Sequence, residues 1–217
     1  MSSHNGIRWS GSTSLGVKKL SWDALTPSDV EAILRSCGAF LDGHFLLSSG
    51  MHSAHYIEKF RVLERPDITA TLCAEFVRRF GDEGIDVVLG AAVGGIILAY
   101  ETARQLGCKA MFTEREGGVM TLRRGFAIHV GTKVLVVEDI VTTGSSLREV
   151  ISVAKSHGAD VVGAAAIVDR GKEPLRFDVR YEALLRLPLD AYEPDDCPLC
   201  KLGIPLQAPG SRHISGQ

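Results

Sequence analysis

No apolar run in this 217-residue chain reaches the roughly 18 residues that a membrane-spanning helix needs. The opening stretch MSSHNGIRWSGSTSLGVKKL lacks the apolar centre of a secretory signal, so residues 1–20 read as a polar, disordered tail. Cysteine is too sparse for a disulfide framework: Cys37, Cys73, Cys108, Cys197 and Cys200 form an odd, scattered set. An excess of one charge is missing as well. With 24 Lys and Arg against 26 Asp and Glu, the net charge of -2 gives no field for nucleic acid or an anionic membrane. There is no internal repeat and no low-complexity segment. The expected compartment is the reducing cytoplasm, and neither nucleic acid nor membrane is an expected partner.

What is present fits a single domain over residues 21–217 with an ordinary core, 45% of the chain being hydrophobic. Thr26-Pro27-Ser28-Asp29 opens a helix, with a hydroxyl at the N-cap, proline next and an acid in the first turn. GHFLLSSGMHSAHYIE, from Gly43 to Glu58, reads as two short strands around Ser48-Ser49-Gly50. A helix from Pro66 carries Ile68, Leu72, Phe76 and Phe80 on one stripe. Then IDVVLG, CKAMFTE, KVLVVEDI and DVVGAAAIVDR read as strands, with IILAYETARQLG and SSLREVISVAKSHG as helices. Strands apolar on both faces and separated by helices predict an α/β fold with a parallel sheet covered on both sides. After Pro188 the composition turns to Pro, Asp and Cys, an irregular extension.

One stretch carries chemistry. VLVVEDIVTTGSSL, Val134 to Leu147, ends an apolar strand on Glu138 and Asp139, then turns through Thr142, Thr143, Gly144, Ser145 and Ser146 into a helix. Ser146 and Glu149 match the S-x-x-E capping box. Backbone amides, hydroxyls and a helix N-terminus cradle a phosphate. No Gly-Lys-Ser/Thr and no G-x-G-x-x-G occurs, so neither nucleotide fingerprint applies. Two acids repel a phosphate, and therefore need another part of the same ligand: a sugar diol, a divalent metal or a developing sugar cation. A sugar phosphate with a reactive anomeric carbon meets all three demands.

The stretch resembles the 5-phosphoribosyl 1-diphosphate (PRPP) motif of the type I phosphoribosyltransferases. Together with GHFLLSSGMHSAHYIE, FTEREGGVMTLRRGF and VDRG, it is similar to the orotate phosphoribosyltransferases, most closely their short bacterial and archaeal branch, from about Leu25 to Arg212. The resemblance implies the type I fold, with a core over about residues 66–187 and a small hood from about residues 40–60 and 188–212. It implies transfer of phosphoribosyl from PRPP to orotate with Mg²⁺, held mainly through PRPP and by no direct protein ligand, in a homodimer with shared active sites.

Position by position, Glu138 and Asp139 are expected on the ribose hydroxyls, Ile140, Val141, Thr142, Thr143, Gly144, Ser145 and Ser146 on the 5-phosphate, and Gly94 on the diphosphate. Thr142, Arg170, Tyr56 and Ile57 are expected around orotate, although Tyr56 and Ile57 read equally well as core and Arg170 as a surface ion pair with Asp169 or Glu173. In GAAVGGI, Gly90 to Ile96, the glycines read as a diphosphate loop or as tight strand–helix packing.

Two departures from the family pattern stand out. Gly94 occupies the place of a family lysine, and the segment between Lys109 and His129 has Arg115, Arg123 and Arg124 where better-known members carry lysines and a histidine. Arg115 joins Glu138 and Asp139 as an expected catalytic residue, and Arg123 and Arg124 as PRPP contacts. Cys197 and Cys200 are expected to be packing thiols, since a structural zinc needs about four ligands and only these two thiols cluster. A PRPP-sensing regulator without catalysis, or a transferase for another base, would share the fold. The chain has no appended helix-turn-helix to support the first.

Overall fold

The computed structural model describes residues 24–47, 49–188 and 190–209. The expected tail (residues 1–20), Ser48 of the hairpin turn and residues 210–212 of the expected hood lie outside these. Helix α1 (Pro27–Ser36) starts as its sequence dictates: the Asp29 amide donates to Thr26 Oγ1 and the Thr26 amide to Asp29 Oδ2. Strands β1 (Phe40–Leu46) and β2 (His52–Ile57) pair antiparallel as a separate two-stranded sheet. A short helix α2 (Phe60–Leu63) leads into α3 (Pro66–Phe80). Leu72, Phe76 and Phe80 of α3 are fully buried, each contributing roughly 1.5–3 kcal/mol over an exposed position.

The main sheet, of six strands among the described residues, has the order β5-β4-β3-β6-β7-β8. These are β3 (Val87–Ala91), β4 (Lys109–Glu116), β5 (Val119–Leu122), β6 (Lys133–Val141), β7 (Asp160–Asp169) and β8 (Tyr181–Arg186). All pairs are parallel except β4–β5, a hairpin at the edge. Its turn is Gly117-Gly118, both at positive φ, as a two-residue hairpin turn requires. Helix α4 (Gly94–Leu106) packs beside α3 on one face of the sheet, and α5 (Ser145–Ser156) covers the other.

Strand β8 was not anticipated from the sequence, because YEALLR is polar enough to read as loop; it pairs only with β7, at the sheet edge. The C-terminal extension is less irregular than expected. It holds a short helix α6 (Pro198–Lys201) and two single bridges to the hairpin, Phe45 with Gln207 and His52 with Tyr192.

From β3 the chain continues outward to β4, whereas β6 continues to β7 on the opposite side. The carboxyl ends of β3 and β6 therefore flank a topological switch point, where open α/β sheets form their binding crevice.

Candidate active site

A cavity of about 420 Å³ occupies that crevice. Its wall comprises residues 91–94 at the end of β3, residues 138–147 from the end of β6 into α5, and Lys59, Arg115 and Met120. Every residue expected on the ribose and the 5-phosphate therefore lines one space, together with Gly94 and Arg115.

Strand β6 carries Glu138 and Asp139 into the wall almost fully buried, 8% and 4% exposed. The Asp139 amide donates to Glu138 Oε1 at 3.1 Å, and the Ile140 amide to Asp139 Oδ1 at 2.7 Å. Lys59 Nζ stands 2.9 Å from Asp139 Oδ2, close enough for an ion pair but without hydrogen-bond alignment, so this oxygen keeps a lone pair for a ligand. Burial and the neighbouring Asp139 charge push the Glu138 carboxyl up to about 8, against the Asp139 amide and Lys59, which lower it. Burial lowers Lys59, but the charges of Asp139 and Glu138 outweigh it and hold the ammonium above its ordinary range.

The turn after β6 is open, with Thr142, Thr143 and Ser145 exposed. Gly144, at φ 77°, is the N-cap of α5, and no side chain caps the helix. The expected Ser146–Glu149 capping box does not form. The helix starts two residues earlier than the motif requires, and Glu149 lies instead 2.8 Å from Arg115 Nη1. The Ser145 amide makes only a long bond of 3.4 Å to Thr143 Oγ1, so the start of α5 remains available to a ligand.

The two glycine roles separate cleanly. A Cβ on Gly94 would stand 1.9 Å from Asp139 Oδ2, whereas one on Gly90 would meet Gly95 O at 2.1 Å. Gly94 keeps the acid pair accessible; Gly90 and Gly95 let helix α4 lie on strand β3.

Five expected site residues lie outside the cavity wall. Arg123 is held by Glu114 and Glu116, and Arg124 makes two bonds to Glu114, both at 3.0 Å. Ile57 packs in the core beside Leu34 and Ile167. Arg170 has a buried Nε without a hydrogen-bond partner and forms no ion pair among the described residues, so neither Asp169 nor Glu173 holds it. Burial lowers its guanidinium, while nearby Tyr56 raises it. Tyr56, itself half-buried, is the fifth: burial and Glu58 push its hydroxyl up, against nearby Arg170 and Lys59, which lower it.

A family model described as phosphoribosyl transferase domain matches residues 63–184, more than half of the chain. The chain belongs to the phosphoribosyltransferase family. An orotate phosphoribosyltransferase of Pelotomaculum thermopropionicum is 50% identical over 190 residues, 88% of this chain and 100% of that one. One from Thermotoga maritima is 47% identical, covering 85% of this chain and 99% of that one. The crystal structure of orotate phosphoribosyltransferase from Aeropyrum pernix superimposes with a TM-score of 0.64 at 29% identity, over 80% of this chain and 98% of that one.

Against the expected phosphoribosyltransferase site, the sequence reading missed Lys59. A signal existed: Lys59 stands two residues after Ile57, just beyond the end of a strand that carries residues expected around the ligand.

Proposed function

We infer that this chain transfers the 5-phosphoribosyl group of PRPP to orotate, giving orotidine 5′-monophosphate and pyrophosphate in pyrimidine biosynthesis. The observation that carries the reading is one cavity in which an amide- and hydroxyl-rich turn, a buried carboxylate pair and an ammonium group meet. Relatives at 47–50% identity named orotate phosphoribosyltransferase support the choice of base.

Residues Ile140 to Ser146 hold the 5-phosphate, and Glu138 and Asp139 accept hydrogen bonds from the ribose hydroxyls. Arg115 and Lys59 flank the space for the diphosphate, offsetting its charge as it enters. Arg170, buried without an anionic partner, takes the orotate carboxylate, for which a planar guanidinium is suited. Tyr56 and Thr142 complete the base site. In the transfer, the bond from the anomeric carbon to the diphosphate oxygen breaks, and its electron pair leaves on the diphosphate. The carbon then bonds to a ring nitrogen of orotate, whose proton passes to the departing diphosphate. The negative charge of Asp139, beside Glu138, favours the sugar cation between these events.

The wall fits Mg²⁺ brought in on the substrate. It offers hard carboxylate oxygens, but Asp139 Oδ2 already faces Lys59 and Glu138 Oε1 accepts an amide, so the ion is held mainly through PRPP. When bound, it neutralises charge on the leaving diphosphate.

A homodimer is proposed on two grounds. Val93 (65% exposed), Ile97 (39%) and Tyr100 (66%) form an uncovered apolar stripe at the start of α4, suited to a second copy. Arg123 and Arg124, which follow the edge strand β5, lie outside the wall of their own cavity, which fits action on a neighbour's. Mixing Asp139→Asn subunits with subunits lacking Arg123 and Arg124 should restore activity if sites are shared. Confirmed subunit exchange without recovery argues against sharing. The five thiols are all free, which fits the cytoplasm.

The base is tested by offering orotate and adenine separately with PRPP and Mg²⁺. Consumption of orotate alone is expected; consumption of adenine alone would overturn the assignment.

A further inference from the structure

Cys197 and Cys200, expected from the sequence to be packing thiols, are met by two histidines from the other end of the chain. His44 and His52 join the pair, and the four ligand atoms lie within 4.8 Å of one another. We propose that His44, His52, Cys197 and Cys200 bind one structural zinc ion, which fastens the C-terminal segment to the β1–β2 hairpin.

The distances argue for it. Four ligands placed tetrahedrally at ordinary zinc bond lengths stand about 3.3 Å apart for a nitrogen pair and about 3.6 Å for nitrogen and sulfur. Here His44 Nε2 is 3.1 Å from His52 Nδ1, 3.5 Å from Cys197 Sγ and 3.7 Å from Cys200 Sγ. Cys200 Sγ is 3.3 Å from His52 Nδ1. The set is the two-nitrogen, two-sulfur combination that selects zinc, with the close C-x-x-C spacing of a metal knuckle.

Hydrogen-bond arithmetic leads to the same conclusion. His44 Nδ1 lies 2.7 Å from the Ile204 carbonyl, which can only accept, so Nδ1 carries the proton and Nε2 is bare. That single lone pair faces an imidazole nitrogen and two thiols, and cannot satisfy all three as donors. A cation at their centre satisfies every group at once. The Ile204 carbonyl then orients the His44 ring, as second-shell acceptors do for metal-bound histidines.

The backbone is shaped for the cluster. The β1–β2 register slips between Asp42 and Phe45, so that consecutive residues His44 and Phe45 are both buried instead of alternating. Such a bulge re-aims a side chain, here His44, to the face where the C-terminal segment lies. That segment crosses the hairpin on both sides: the Leu46 amide donates to Gln207 O, the Gln207 amide to His44 O, and the His52 amide to Tyr192 O. The cluster joins residues 153 positions apart, so metal closure removes a large loop's worth of freedom from the unfolded chain. The hairpin so fastened also carries Tyr56 and leads to Lys59.

The test uses full-length wild-type chain, purified without an affinity tag that binds metal. Elemental analysis should find about one zinc per chain, and Co²⁺ exchanged for it should give the strong visible bands of tetrahedral thiolate cobalt. A zinc chelator should lower Tm, and re-addition of zinc should restore it. Cys200→Ser, at an exposed position, should lose most of the zinc; Cys108→Ser, remote from the cluster, should keep it. Zinc below about a tenth of an equivalent after refolding with the metal would overturn the proposal. So would absence of the cobalt bands, a Tm indifferent to chelation, full zinc retention by Cys200→Ser, or a Cys197–Cys200 disulfide in reduced preparations.

Discussion

Lys59 Nζ lies 2.9 Å from Asp139 Oδ2, joining the end of the N-terminal hairpin to the end of the central strand β6. The pair brings a cation to a wall that otherwise presents two buried carboxylates side by side. Lys59→Met should lower stability by about 1–2 kcal/mol, the loss of a partly buried pair discounted for the ammonium's exposure. It should lower kcat/KM for PRPP by roughly tenfold or more. Thermal melts and initial rates at limiting PRPP measure both. Unchanged rates would remove Lys59 from the site.

Glu138 gives the free protein a pH dependence of definite sign. Its folded-state carboxyl is raised to about 8 from an ordinary 4.5, so the fold favours the protonated form. The associated stability is fully present below about 4.5 and is lost as pH rises through about 8. Glu138→Gln stays neutral and should flatten this fall. Its ligand-free Tm should exceed the wild type's above pH ~8, by the equivalent of a few kcal/mol at most, while PRPP use declines. Parallel wild-type and variant stability curves across this range would contradict the account.

Two glycine substitutions should part function from folding. In Gly94→Ala the new methyl displaces the Asp139 carboxylate, so the stabilisation of the fold by PRPP and Mg²⁺ should vanish while the melt stays cooperative. In Gly90→Ala the clash is with the backbone of Gly95, so the fold itself should lose roughly 1–3 kcal/mol or more. Circular dichroism melts with and without PRPP distinguish them. A PRPP response equal to wild type in Gly94→Ala would show that the acid pair is not where PRPP binds.

Arg170→Ala should raise KM for orotate by about tenfold or more and leave PRPP affinity within roughly twofold. Steady-state kinetics with each substrate varied in turn provide the check. Collapse of PRPP affinity with unchanged orotate KM would reverse the division of the site.

Much of this was legible in the chain. The alternation from Val87 to Asp169 follows from valine-rich strands broken by glycine, and the Glu138–Ser146 stretch sits at the carboxyl end of a strand, where its residue types pointed. Strand β8 was hidden because an edge strand needs less apolar sequence than a central one. Lys59 was hidden for another reason: its partner Asp139 is 80 positions away, and no local pattern links them. The same holds for the cysteines, whose histidine partners lie at the opposite end of the chain and face them only through a β-bulge. The Ser146–Glu149 motif failed in the opposite sense, since a local pattern was overruled by Arg115 across the hairpin.

The most direct test of phosphoribosyl transfer is the amount of pyrophosphate released from PRPP with Mg²⁺, measured with and without orotate. Release should require orotate and should equal the orotidine 5′-monophosphate formed, one for one, and Asp139→Asn should reduce both together. Release that ignores orotate, or orotate and PRPP left unconsumed by a cooperatively folded chain, would contradict the account.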